Sequence, residues 1–153
     1  MKRLRLGIAG LAVLAGVGVA LWWLSRPDLN DEEQITNTII EIKRAVETKD
    51  AGRVLKYIDH DYDDGFYKRK DLTQFLVGGF RTPEEFRVEV RPPEVIVSGR
   101  EAEARLQAVF SWGALGADDR RLPLSIVAHL RKTGGTWKVV KAAGWEPAMA
   151  GGQ

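Results

Sequence analysis

The longest regular pattern in this chain is an alternation of period two. From Glu101 to Trp112, the residues Ala102, Ala104, Leu106, Ala108, Phe110 and Trp112 fall on one face. Glu101, Glu103, Arg105, Gln107 and Ser111 fall on the other. Successive side chains of a strand point to opposite faces, so this segment predicts one long strand with an apolar side. After the loop Gly113–Asp119 a second alternation sets Leu122, Leu124, Ile126, Ala128 and Leu130 against Arg121, Pro123, Ser125, Val127, His129 and Arg131. Gly134-Gly135 predicts a hairpin turn into a last strand, Trp137–Lys141. Ahead of these, Phe86, Val88 and Val90 alternate with Arg87, Glu89 and Arg91 up to Pro92-Pro93, and Val95-Ile96-Val97 leads to a turn at Ser98-Gly99. The apolar faces of the long strands must be covered by another part of the chain.

The cover is found upstream, where the period is helical. Asn30 is placed to cap a helix, with Glu33 three residues on and Asp31, Glu32 and Glu33 in the first turn, where the helix dipole favours negative charge. Ile35, Ile39, Ile42 and Val46 form one stripe on a helix of about residues 31–48. Asp50 is placed to cap a shorter helix, about 51–58, with Ala51, Val54, Leu55 and Ile58 on one face. An acidic, aromatic turn follows, Asp59 to Tyr67. Asp71 is placed to cap a third helix with Leu72, Phe75 and Leu76, stopped by Gly78-Gly79. Helices first and meander strands afterwards make an α+β domain over residues 31–146.

In front of the domain lies a segment of another kind. Leu6 to Leu24 is a run of 19 residues without a charged or strongly polar side chain. As a helix it would be about 28 Å long, close to the ~30 Å hydrocarbon core of a bilayer. Trp22 and Trp23 fall at its far end, where aromatic rings favour the membrane interface. Lys2, Arg3 and Arg5 precede it and only Arg26 lies close behind it, so the expected topology is N-terminus in the cytoplasm and domain outside. In a bacterium that is a single-pass inner-membrane protein with a periplasmic domain. The alternative is a secreted protein, cleaved after Gly18-Val19-Ala20, although the run is longer than the usual h-region of about 7–15 residues. Residues 26–30 then form a linker and 147–153 a flexible tail.

Charge and composition exclude several function classes. The formal net charge is +2, but the three basic residues ahead of the apolar run account for it. Residues 26–153 keep 20 of the 23 basic groups and all 21 acidic ones, a net charge of −1. A nucleic-acid-binding surface is not expected from such a domain. With no cysteine, disulfides, thiolate nucleophiles, Cys-based zinc sites, iron–sulfur clusters and lipoprotein attachment are excluded.

The order of these elements resembles the nuclear transport factor 2-like superfamily, also called SnoaL-like, over about residues 30–145. The resemblance is carried by the long first helix, by the second helix running into Tyr57-Ile58-Asp59-His60-Asp61-Tyr62, by the third helix, and by the final hairpin Gly134-Gly135-Thr136-Trp137-Lys138-Val139-Val140. It implies a cone-shaped fold in which a curved, mostly antiparallel sheet wraps three helices and leaves a pocket between them. That fold hosts isomerases, dehydratases, ligand binders and interaction modules, so it does not assign a function by itself.

Candidate chemistry is sparse. Asp59, Asp61 and Asp63 match the first acidic positions of a calcium loop, but Asp64 stands where its Gly is needed and Lys70 where its bidentate Glu is needed, so no metal site is expected. In ketosteroid isomerase, of the same superfamily, an Asp base faces a Tyr and a protonated Asp in an apolar pocket. The resemblance offers Asp59 or Asp61 as a base and Tyr57 or Tyr62 as a hydrogen-bond donor. However, the first-helix stripe supplies no Tyr, and the inward face Ala102–Trp112 supplies no second carboxylate. His129 falls on the outward face, away from the pocket. Tyr57, Phe75, Phe110, Trp112 and Trp137 are expected to line an apolar pocket or simply to pack as core. The outer face, with Arg105, Gln107, Val109, Val127 and His129, suits a sheet-to-sheet contact between two copies or plain solvation equally. The expected function is a membrane-anchored, non-catalytic module, without a cofactor, that engages a small apolar ligand or a partner protein. The alternative is a small lyase or isomerase acting on a hydrophobic substrate with Asp59 or Asp61 as base.

Overall fold

A computed structural model describes residues 30–114 and 120–146. The apolar run Leu6–Leu24, most of the linker, residues 115–119 of the loop between the two long strands and the tail 147–153 lie outside the described residues. Among the described residues no helix is long and apolar enough to cross a membrane.

Three helices come first, α1 (Asp31–Glu47), α2 (Ala51–Lys56) and α3 (Arg69–Gly79). Asn30 caps α1 by accepting the Glu33 N–H at 2.8 Å, and Asp50 caps α2 by accepting the Arg53 N–H at 2.9 Å. The expectation that Asp71 caps α3 is corrected. The N-cap is Lys68, three residues earlier, and the Asp71 carboxylate reaches back to accept the Lys68 N–H at 2.9 Å. A carboxylate one turn inside a helix can still satisfy a donor at its start, so the helix extends outward from it. Arg69 fastens this start to the end of α2 by donating to the carbonyls of Leu55, Ile58 and Asp59.

Five strands follow, β1 (Glu85–Val90), β2 (Glu94–Ser98), β3 (Glu101–Gly113), β4 (Arg120–Thr133) and β5 (Thr136–Ala143). All pair antiparallel in one sheet. β3 is the hub. β4 runs along one of its edges from Glu101↔Arg131 to Trp112↔Arg120. β1 and β2 share the other edge, β2 on the first half of β3 and β1 on the second. β5 completes the order beside β4, joined by the two-residue turn Gly134-Gly135, whose φ values of 58° and 78° suit a tight hairpin. A bulge in β5 sets Lys141 opposite His129 but Val139 opposite Leu130. It leaves Val139 and Val140 free to bind the acidic turn. The Asp59 N–H donates to the Val139 carbonyl, the Asp63 N–H donates to the Val140 carbonyl, and the Val139 N–H donates to the Tyr57 carbonyl. Because the extra residue is in β5, β4 keeps its alternation and His129 stays on the exposed outer face.

The core sits between the inner sheet face and the helices. Ile35 of α1 and Ala104 of β3 are fully buried, with Leu130 and Trp137 close behind. Each fully buried large apolar side chain contributes about 1.5–3 kcal/mol. Lys132 and the Trp137 indole both donate to Asp31, at 2.7 and 3.1 Å, and tie the start of α1 to the β4–β5 hairpin. Those two bonds, the ammonium first, hold the Asp31 carboxyl below the usual carboxylate range.

Candidate functional site

The second half of β3 and the first half of β4, paired side by side, do not meet the helices directly. A cavity of about 890 Å³ separates them, within the range of about 300–1,000 Å³ that ligand pockets occupy. α1 supplies Ile39, Ile42 and Val46 to its wall, and α3 supplies Leu72, Phe75 and Leu76. The sheet supplies Phe86, Val88 and Val90 from β1, Leu106 to Trp112 on alternate positions of β3, and Leu124, Ile126 and Ala128 from β4. Gly78 and Gly79 line it without side chains to fill the space.

Four rings form a continuous row along this wall. Phe80 meets Phe86 at 6.0 Å between centroids, Phe86 meets Phe110 edge-on at 5.2 Å, and Phe110 stacks on Trp112 at 5.3 Å. Phe110 and Trp112 meet because residues two apart share a face of a strand. Among the described residues only Lys43, Glu84 and Arg120 bring charge to the lining, and each is already paired. Arg120 binds Glu84 at 2.5 Å and lies 5.4 Å from the Trp112 ring. Lys43 binds Glu47 at 3.1 Å, and Glu47 also accepts the Val88 N–H.

At another point of the wall, Tyr62 and Trp145 converge on a buried carboxylate. The Tyr62 hydroxyl donates to Asp64 Oδ2 at 2.8 Å, and the Trp145 indole donates to the same oxygen at 3.3 Å. Asp64 Oδ1 accepts the N–H groups of Phe66 and Tyr67 at 2.9 and 2.7 Å. Burial acts to raise this carboxyl, but the four donors outweigh it and hold it below the usual carboxylate range. The Tyr62 hydroxyl is pushed well above its ordinary value, by burial first and by the neighbouring Asp64 second. Tyr62 therefore stays protonated, its hydrogen aimed at Asp64.

Not all the sequence-derived candidates meet at the cavity. Phe75, Phe110, Trp112 and Tyr62 line it. Tyr57, at the C-cap of α2, and Trp137, buried against Asp31, do not. Trp137 shares the inward face of the sheet, but it lies where α1 packs directly on that face. Asp59 is buried beside β5, accepts the Asp61 N–H at 2.9 Å, and does not line the cavity. Asp61 is exposed and does not line it either. Within the acidic turn, Asp59, Asp63 and Asp64 each accept N–H groups of their own segment, Asp63 from Gly65 at 2.9 Å. Among the described residues no buried side-chain polar atom lacks a hydrogen-bond partner. On the outer face, Ser125 donates to Gln107, Arg105 binds Glu103, and His129 stands 4.0 Å from that same carboxylate.

Sequence reasoning missed Phe80, Phe86 and Trp145 as cavity residues. Phe86 carried a usable signal, since it is an inward residue of β1 and pairs with Trp112. Phe80 and Trp145 lie just past the ends of regular elements, where periodicity says nothing about direction.

No family model matches the chain, and no curated protein matches it. Solved structures do resemble it. One is a proposed aromatic ring hydroxylase from Novosphingobium aromaticivorans, with a TM-score of 0.65 and 18% identity over 73% of this chain and 85% of that one. Another is a nuclear transport factor 2-like protein of unknown function from Pseudomonas putida, at 0.61 and 17% over 72% and 82%. A third is a proposed dehydratase of the nuclear transport factor 2-like family from Streptomyces avermitilis, at 0.62 and 16% over 73% and 92%. At such identities the likeness is one of fold. The described domain has the nuclear transport factor 2-like fold, with three helices on a five-stranded antiparallel sheet.

Proposed function

We propose that this chain is a membrane-anchored, non-catalytic module that holds a small apolar ligand outside the cytoplasm. The observation that carries the reading is the cavity of about 890 Å³, walled by aliphatic and aromatic side chains, whose described charged liners are all paired with one another or with a neighbour. Such a wall gains free energy from apolar area removed from water, about 25 cal/mol per Å², and among the described residues it offers no free base to act on what it holds. The anchor rests on the apolar run Leu6–Leu24 and its flanking charges.

The test uses the full chain extracted from membranes. Native mass spectrometry should find an apolar molecule bound to it, and Ala108→Phe, which fills the cavity, should abolish that adduct. An empty wild-type protein that also fails to bind a solvatochromic naphthalene dye would overturn the ligand reading. For the anchor, an intact mass matching cleavage after Ala20 would exclude it. So would recovery of the uncut chain in the carbonate-soluble fraction.

A small lyase or isomerase is the second reading, favoured by the proposed dehydratase of the same fold. Asp59 and Asp61 do not supply its base from where they stand. Glu84 is the single carboxylate among the described cavity liners, and Arg120 holds it.

A further inference from the structure

We infer that Trp145 is the stopper that closes the cavity on the β5 side, and that the ligand is a single-chain amphiphile whose tail ends against it. This rests on the ligand-binding reading above and names the class of ligand.

Gly144 turns the chain out of the sheet. β5 ends at Ala143, and the next residue has a φ of 90°. A Cβ there would come within 1.9 Å of the Ser125 carbonyl oxygen, so only glycine lets the chain turn at this point. The turn is braced by the Glu146 carboxylate, which accepts the Gly144 N–H at 2.7 Å. It carries the next side chain off the line of the strand and onto the acidic turn and α3. The Trp145 ring lands against Tyr67 at 5.4 Å and against the edge of Phe75 at 6.2 Å, with its N–H on Asp64. Three neighbours hold it, and the face that remains is cavity wall.

The cavity is therefore polarised. At the stopper, the Tyr62 hydroxyl and the Trp145 N–H are both spent on Asp64, so only apolar surface is left to touch a ligand. At the rim stand the Arg120–Glu84 pair and the exposed Gly78 and Gly79. Ser125, where Gly144 abuts the sheet, is five residues along β4 from Arg120, or about 16 Å of strand. A polar head at the rim and one apolar tail running towards the indole satisfy both ends. Trp145 then limits the length of tail that fits.

The test measures affinity against chain length. The probes are straight-chain 1-alkanols from hexanol to hexadecanol, competing with a solvatochromic naphthalene dye on the full chain in nanodiscs, with empty nanodiscs as blank. Affinity should rise about four-fold per added methylene until the tail meets the indole, and then level off. In Trp145→Ala the plateau should move to longer chains by several methylenes, while the shortest alkanols change little. Trp145→Phe, which keeps a ring in place, should plateau where the wild type does. A plateau unmoved in Trp145→Ala overturns the inference. If that variant does not fold, Trp145→Leu carries the test, with a smaller shift expected and an unmoved plateau equally decisive. A wild type that binds no alkanol and no dye would instead overturn the ligand-binding reading itself.

Discussion

The two halves of the inner sheet face are built alike and used differently. In the first half of β3, Ala102 and Ala104 are buried, and Trp137, Leu130 and Ile35 fill the space around them almost without exposure. In the second half, Phe110 and Trp112 carry far more apolar surface yet remain only half-buried, because they look into the cavity. Small residues on the strand leave room for Ile35 of α1 and Trp137 of β5 in one buried cluster. The larger rings continue the same alternation where the cavity lies between β3 and the helices. Apolar character thus does not tell core from cavity. The distance between the layers does, and it lets one half hold the fold while the other stays open.

The largest effect should come from the closed half. Trp137→Ala removes a fully buried ring and its bond to Asp31, and should cost about 3–5 kcal/mol of stability by urea denaturation. Phe110→Ala, in the open half, should cost less than half as much, because the ring already has an unfilled side. Equal costs would erase the distinction between the halves.

Asp64 stands at the border of the cavity. Asp64→Asn puts an amide where two side-chain donors point at one carboxylate oxygen, and should cost about 1–3 kcal/mol. Its pH dependence has a definite sign. The folded carboxyl is held below its ordinary value, whereas in the unfolded chain it binds its proton near about 3.9. Its stabilisation is therefore complete above that value and is lost as the pH falls through the lower, folded one. Urea midpoints between pH 5 and pH 2 should fall less steeply in Asp64→Asn than in the wild type. Parallel curves would mean that Asp64 is not held as described.

A sharper comparison uses one substitution at two positions on the same strand face. Ala104→Leu overpacks the closed half and should cost about 1–3 kcal/mol. Ala108→Leu adds the same atoms to a cavity wall, so it should leave stability near that of the wild type while reducing dye binding. A small effect is expected at the rim as well. Glu84→Gln weakens an ion pair whose arginine is largely exposed, and should change stability by no more than about 1 kcal/mol.

Much of this architecture is legible in the chain. The stripe Ile35–Val46 and the alternation Ala102–Trp112 are local patterns, and a local pattern suffices to set an element and its inward face. Phe110 and Trp112 reach the cavity because they lie on the second of those faces, and Phe75 because it shares a face of α3 with Leu72 and Leu76. The same rule places Trp137 inward, but it cannot say that α1 presses directly upon it there. Asp59 and Asp61 have the right chemistry for a base, yet the bulge in β5 draws their segment against Val139 and Val140 and away from the cavity.

The sequence by itself determined the order of helices and strands, the apolar face of each, and the exclusion of cysteine chemistry. These follow from residue type and from periods of 3.6 and 2, which act over neighbouring residues. Tertiary structure alone decided which inward residues meet a helix and which meet a void, and that Trp145 turns back to close the void. Those outcomes depend on the separation of two layers and on a turn at Gly144 forced by a carbonyl 19 residues earlier on another strand. No local period encodes either.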